Sequence, residues 1–242
     1  MNFVLDIETI PRDLRGEPRK VQEYVWERAL RRAAEPGPAP PEVSLEAYLA
    51  DADAEACALS RQRIERYMAL KPEFGHVVCI GMGHDGRGRG DLETKALTAQ
   101  RVTDERAILE AFWEVVRARR DWCFVTYNGL AFDLPFLIRR SLYLGVPPTT
   151  GLPLRPFTLD RHFDVMRVLA NWERDAVRLD IVAELLGLSK TPAGMEGSQV
   201  LGLWRAGRTD EIEAYCLGDV RLVYEVFLRL EAYFRPGGPP SG

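Results

Sequence analysis

An α/β fold, built as a mixed β-sheet flanked by helices, is predicted by three features of the chain. Strand-like runs occur at residues 3–9, 76–83, 93–98 and 121–127, of which 93–98 alternates more loosely than the others. A segment with one clean apolar face, at helical spacing, separates the last two runs. A long helix-forming segment lies near the C-terminus. Strand, strand, strand, helix, strand, in that order, reads as a mixed sheet covered by helices.

The 242 residues suffice for one sizeable domain with an insertion. A composition 46% hydrophobic and 28% charged is that of a globular protein. No apolar run reaches transmembrane length and no signal peptide precedes the first strand, so no membrane partner is expected. Cys57, Cys79, Cys123 and Cys216 are scattered and form no C-x-x-C pair. They read as reduced thiols of a cytoplasmic protein, not as a zinc site or a disulfide framework. The net charge of -4 excludes a global basic field but leaves room for local Arg and Lys patches.

The first strand is Phe3-Val4-Leu5-Asp6-Ile7-Glu8-Thr9. Residues i and i+2 of a strand share a face, so Asp6 and Glu8 leave one side together. Two adjacent carboxylates raise each other's pKa, and a divalent cation relieves this because hard cations prefer carboxylate oxygens. Taken alone, the pair also fits an edge strand with a solvated face. Pro11 ends this strand. A helical insertion is expected over about residues 11–71. A helix at 20–34 carries Val21, Tyr24, Val25 and Ala29 or Leu30 as its stripe. A Pro-rich connector comes next at 35–41, then a second helix over 45–70. The clusters Arg28, Arg31, Arg32 and Arg61, Arg63, Arg66 suit phosphate contacts or a solvated face.

Gly81-Met-Gly-His-Asp-Gly86 matches G-x-G-x-x-G, but another strand comes after it instead of a helix, so a hairpin is expected rather than a dinucleotide site. Asp104 is placed as the cap of a helix to Ala118, with Ile108, Leu109, Phe112, Val115 and Val116 on its inner face. After the strand at 121–127, Asn128-Gly129 turns the chain and Asp133 sits at the start of the next helix. That junction lies where sites form in α/β sheets, and a plain N-cap accounts for Asp133 equally well. Asp164 reads as a strand residue behind the site, and Asp180 as the start of a helix. Met195-Glu-Gly-Ser198 reads as a polar loop at the cleft.

Asp210 and Glu213 have capping-box spacing, which starts the last long helix near Glu211. Tyr215 and Asp219, four apart, share one face of it. Singly they fit a core tyrosine and a solvated acid. Gly218 in mid-helix costs roughly 1 kcal/mol relative to Ala, which a close approach to a backbone or ligand would explain. Val223, Val226, Phe227 and Leu230 are the next core positions, and residues 236–242 are expected to be disordered.

D-x-E on the first strand, the phrase Tyr127-Asn-Gly through Pro135-Phe-Leu137, and Y-x-x-x-D on a late helix occur in that order. This constellation resembles the DEDDy 3′→5′ exonucleases, above all the proofreading exonuclease domain of family B DNA polymerases. Residues 179–187 and Lys190 are also similar to that family. The resemblance covers about residues 1–10 and 72–235, and the chain has no room for polymerase palm and fingers. It implies a ribonuclease H-like domain over 1–235, interrupted by the insertion. The sister group carries a histidine five residues before the last aspartate; Ala214 stands there, so the tyrosine type fits.

The resemblance further implies two Mg²⁺ or Mn²⁺ ions held by Asp6, Glu8, Asp133 and Asp219, with Asp6 between the metals and Glu8 nearest the attacking water. Tyr215 would orient that water, since a phenol with a pKa near 10 is a poor base at neutral pH. The expected reaction is two-metal hydrolysis of single-stranded or frayed DNA from its 3′ end to nucleoside 5′-monophosphates. Thr9, Asn128 and Phe132 are the candidate contacts to the terminal nucleotide, with Lys190 for phosphate. Each also fits turn chemistry, core packing or an ordinary surface lysine. An RNA-trimming enzyme on the same scaffold and a non-catalytic nucleic-acid-binding domain are the alternative readings.

Overall fold

The computed structural model describes residues 1–31, 43–51, 55–86, 91–173, 175–189 and 194–234. Its sheet has five strands, β1 (Asn2–Pro11), β2 (Gly75–His84), β3 (Glu93–Thr98), β4 (Cys123–Thr126) and β5 (His162–Asp164), in the order β3-β2-β1-β4-β5. β2 and β3 form an antiparallel pair, while β1, β4 and β5 run parallel. The sheet is therefore mixed, as the order of elements predicts. The G-x-G-x-x-G match falls on the β2–β3 hairpin, with Gly81 and Gly83 inside β2.

Two compact units divide the chain. One is Met1–Glu8 with Val77–Gly242, the other Thr9–His76. The second contains the region expected to be an insertion. Its described helices are α1 (Arg19–Arg31), α2 (Leu45–Ala50) and α3 (Ala58–Ala69). They close around Leu14, Val25, Ala29, Tyr48, Ile64 and Met68. Two expectations are corrected here. The helix over 45–70 is two helices, because Asp51 adopts a left-handed conformation (φ 52°) and ends α2. Its carboxylate is held by Arg15 and Arg61. Tyr24 is not in the stripe; its ring is exposed, under the Arg28 guanidinium. The Pro-rich connector and Arg32 lie outside the described residues.

The first unit holds α4 (Glu105–Arg117), α5 (Asp133–Leu144), α6 (Val165–Leu169), α7 (Leu179–Leu185), α8 (Val200–Arg205) and α9 (Thr209–Phe234). The alternation of β1 assigns its two faces. Phe3, Leu5 and Ile7 pack in one core with α4 and α5 residues such as Leu109, Phe112, Leu134 and Phe136. Val4 packs in the other, with Val220, Val223 and Phe227 of α9. A buried Arg140–Glu105 pair at 2.7 Å joins α5 to α4, and the Val77 amide also donates to Glu105.

Both cap expectations are corrected. Asp104 makes no side-chain cap for α4; its carboxylate accepts from the amides of Gln100 and Arg101 and closes a preceding 3₁₀ turn. α9 begins at Thr209, and Glu213 accepts from the Thr98 hydroxyl at 2.6 Å instead of capping. A tertiary partner outcompetes the local one for Glu213, and a neighbouring turn does so for Asp104. The segment at 236–242 lies outside the described residues.

Candidate active site

Parallel pairing places the ends of β1, β4 and β5 at one edge of the sheet. Val4 is opposite Val125, and Thr126 opposite Asp164. The C-terminal ends of the three strands therefore converge, bringing together Asp6 and Glu8 on β1, the 127–132 turn with Asp133 after β4, and Asp164 closing β5. Because Asp6 and Glu8 continue the face of Val4, they look towards α9, which carries Tyr215, Cys216 and Asp219.

The turn after β4 is built from specific hydrogen bonds. Asn128 is left-handed (φ 71°), a conformation that asparagine tolerates better than most residues. Gly129 must be glycine, since a Cβ there would clash with the Thr126 side chain. The Thr126 hydroxyl accepts from the Gly129 amide and bonds His162 Nε2. Asp164, fully buried, accepts from the amides of Asn128 (2.9 Å) and Leu130 (3.0 Å). Phe132 is the N-cap residue of α5, so Asp133 is the first residue inside the helix. It is not a cap: its Oδ1 accepts from the Ile7 amide at 3.1 Å, between the two acids of β1.

The charges of this cluster act on one another. Burial raises the Asp6 carboxyl well above its ordinary range, and Glu8, Asp133 and Asp219 raise it further. Burial pushes Asp133 up to about 7; amide hydrogen bonds, Ile7's among them, oppose this, and the Asp164 charge reinforces it. Burial, then the charges of Asp219, Glu8 and Asp6, raise the Tyr215 phenol, which is also hydrogen-bonded to Asp219. The structure thus brings Asp6, Glu8, Asp133, Tyr215 and Asp219 together.

This donor set suits a divalent cation. Carboxylates that raise one another's pKa are an uncompensated negative charge, and oxygen donors match Mg²⁺ or Mn²⁺. Carboxylate oxygens of Asp6 and Glu8 also lie within 4.8 Å of Cys216 Sγ and of each other. Burial and the neighbouring Cys79 raise the Cys216 thiol, keeping it protonated. It donates instead, weakly, to Asp6 Oδ2 (3.5 Å) and the Asp6 carbonyl (3.7 Å).

The predicted nucleotide contacts have separate placements. Thr9 Oγ1 donates to the Ala69 carbonyl within the second unit. Asn128 Oδ1 accepts from Arg167. The Phe132 ring packs on Phe136, with centroids 5.4 Å apart. Lys190 lies outside the described residues. Sequence reasoning missed Cys216 and Arg167. The signal for Cys216 was its place between Tyr215 and Asp219; Arg167 comes three residues after Asp164, as a capping partner does. The loop at 195–198 does border the site, since a Cβ on Gly197 would lie 3.7 Å from the Tyr215 hydroxyl.

The family described as predicted 3′-5′ exonucleases related to the exonuclease domain of PolB matches residues 69–152 and 154–235. The chain belongs to this family. Asp133, Tyr215 and Asp219 fall inside the match, and Asp6 and Glu8 precede it. Among curated relatives, a DNA polymerase of Pyrococcus glycovorans is 25% identical over 149 residues, 54% of this chain and 19% of its own length. One of Thermococcus aggregans is 27% identical over 151 residues, 54% of this chain and 8% of its own. The chain therefore spans less than a fifth of the length of these curated relatives. The family B DNA polymerase of Pyrobaculum calidifontis superposes with a TM-score of 0.58 at 21% identity, covering 96% of this chain and 24% of that one. The exonuclease family member thus has the ribonuclease H-like fold. No helix of the described residues is long and apolar enough to cross a membrane.

Proposed function

We propose that this chain is a metal-dependent 3′→5′ exonuclease of the DEDDy type that hydrolyses single-stranded or frayed DNA to nucleoside 5′-monophosphates. The observation that carries this reading is the convergence of Glu8, Asp133 and Asp219 on Asp6, whose carboxyl each of them raises, with Tyr215 hydrogen-bonded to Asp219. Membership of the exonuclease family supports the reaction class. The DNA polymerase relatives favour DNA over RNA.

Asp6, Glu8, Asp133 and Asp219 would hold two divalent ions, Mg²⁺ or Mn²⁺. Bound there, such ions supply Lewis-acid polarisation of the phosphodiester and a water of lowered pKa. The chain's own groups do the positioning. Tyr215 stays protonated at neutral pH and orients the attacking water, its ring held by the hydrogen bond to Asp219. Glu8, whose charge acts on that phenol, is the carboxylate assigned to the water. The Ile7 amide fixes one Asp133 oxygen, so Asp133 keeps its orientation relative to β1.

The test is a 5′-labelled oligonucleotide incubated with Mn²⁺, as DNA and as RNA in parallel. A ladder shortening from the 3′ end on DNA is expected. Asp6→Ala should abolish it while circular dichroism stays native. A ladder that survives this substitution removes the cluster from the reaction.

A further inference from the structure

Arg167, in α6, is a half-buried cation whose guanidinium has no carboxylate partner among the described residues. Other arginines of the same unit are neutralised: Arg140 by Glu105, Arg178 by Asp180, Arg208 by Glu211. Arg167 instead donates from Nη2 to Asn128 Oδ1 at 3.1 Å.

That contact decides what Asn128 presents. A guanidinium has only donors, so the Asn128 side chain must turn its carbonyl oxygen towards Arg167. Its amide NH₂ then faces away, and Nδ2 has no partner among the described residues. Both side chains therefore offer donors only. Asp164 fixes their backbones: it accepts from the Asn128 and Leu130 amides, and its Oδ1 also accepts from the Arg167 amide at 3.2 Å. The same carboxylate acts on Asp133, so the donor pair stands beside the acidic cluster.

We propose that Arg167 and the Asn128 amide form a donor pair for a phosphodiester oxygen of the substrate strand, with Asp164 as their positioning residue. A non-bridging phosphate oxygen only accepts, which matches two donors and a positive charge. Such a contact holds the strand without reading sequence. The proposal rests on the exonuclease reading and adds a specific phosphate contact to it.

The experiment measures binding apart from turnover. A 5′-fluorescein-labelled single-stranded DNA oligonucleotide is titrated in EDTA over a salt series, beside Mn²⁺-dependent cleavage. Arg167→Ala should raise Kd and KM about tenfold, the loss of one charge-assisted hydrogen bond, with kcat changed far less. The slope of log affinity against log salt should become shallower by about 0.7, the value for one phosphate on a single strand. Arg167→Lys should keep the slope but not the full affinity, because it keeps the charge without the planar fork. Asn128→Asp should weaken binding more than Asn128→Ala, since its carboxylate would neutralise Arg167. Thermal unfolding controls for folding in each variant. A folded Arg167→Ala with unchanged Kd and salt slope overturns this proposal and leaves the exonuclease reading standing. Wild-type protein that binds the strand without cleaving it overturns the exonuclease reading, and the binding series still decides Arg167. Wild-type protein that neither binds nor cleaves overturns both.

Discussion

Burial first, and then neighbouring carboxylates, raise both Asp6 and Asp133 before any substrate arrives. Asp133, pushed up to about 7 in the folded chain, holds its proton more tightly than in the unfolded chain. The folded state thus binds more protons between about pH 4 and about pH 7, so this group makes the metal-free protein less stable as pH rises through that window. A divalent ion competes with the proton, and the stabilisation it confers should grow over the same range. Thermal unfolding with EDTA and with Mg²⁺, compared across that window, measures this; a metal-induced shift in Tm that is flat with pH contradicts it. Tyr215→Phe removes the hydroxyl and leaves the ring to pack beside Asp219. We expect kcat to fall about 10²-fold, as for a misplaced reactant, with oligonucleotide affinity nearly unchanged. A matching loss of affinity would make Tyr215 a strand-binding residue instead.

At the scale of elements, the approach of α9 to the sheet governs the site. An ideal Cβ at Gly81 would lie 2.7 Å from Cys216 Sγ, 3.0 Å from Val220 and 3.3 Å from the Cys216 carbonyl. The missing side chain lets the helix lie close enough for Cys216 to reach Asp6 and for Asp219 to act on it. Gly81→Val overpacks this contact and should cost about 1–3 kcal/mol, read from the urea midpoint. Activity should fall as well, because Tyr215 and Asp219 move with the helix. Full activity in a destabilised variant would show that α9 can shift without disturbing the acids. The hairpin expected at the G-x-G-x-x-G pattern is present as the antiparallel β2–β3 pair. The pattern's first two glycines, however, serve the helix packing.

At the scale of the whole molecule, the chain leaves the sheet after β1 and returns at β2, having built a second unit with its own apolar cluster. The ends of that excursion are joined, since the Arg12 amide donates to the Phe74 carbonyl at 2.8 Å. Among the described residues, the apolar clusters on both faces of its sheet use residues of the first unit alone. Replacing residues 13–73 by a short Gly-Ser loop should therefore leave a chain that folds cooperatively, because the cost of closing a loop depends weakly on its length. Far-UV circular dichroism and a single thermal transition are the readout. A chain with no transition would mean that the first unit needs the second to fold.

The sequence by itself determined the strands, the helical periods and the order of the acidic motifs. These depend on side-chain alternation and on spacing within one element, which neighbouring residues impose on each other. Asp6 and Glu8 on one strand face, and Tyr215 and Asp219 on one helix face, were legible for that reason. The break at Asp51, the failed caps at Asp104 and Glu213, and the roles of Cys216 and Arg167 were not. Most are settled by a competition between a local partner and a distant one: Thr98 takes Glu213, Asp164 takes the Asn128 turn, and Asp6 takes Cys216. Only the tertiary structure decides such competitions, because the distant partner's distance and the burial that strengthens its bond exist only once the chain is folded.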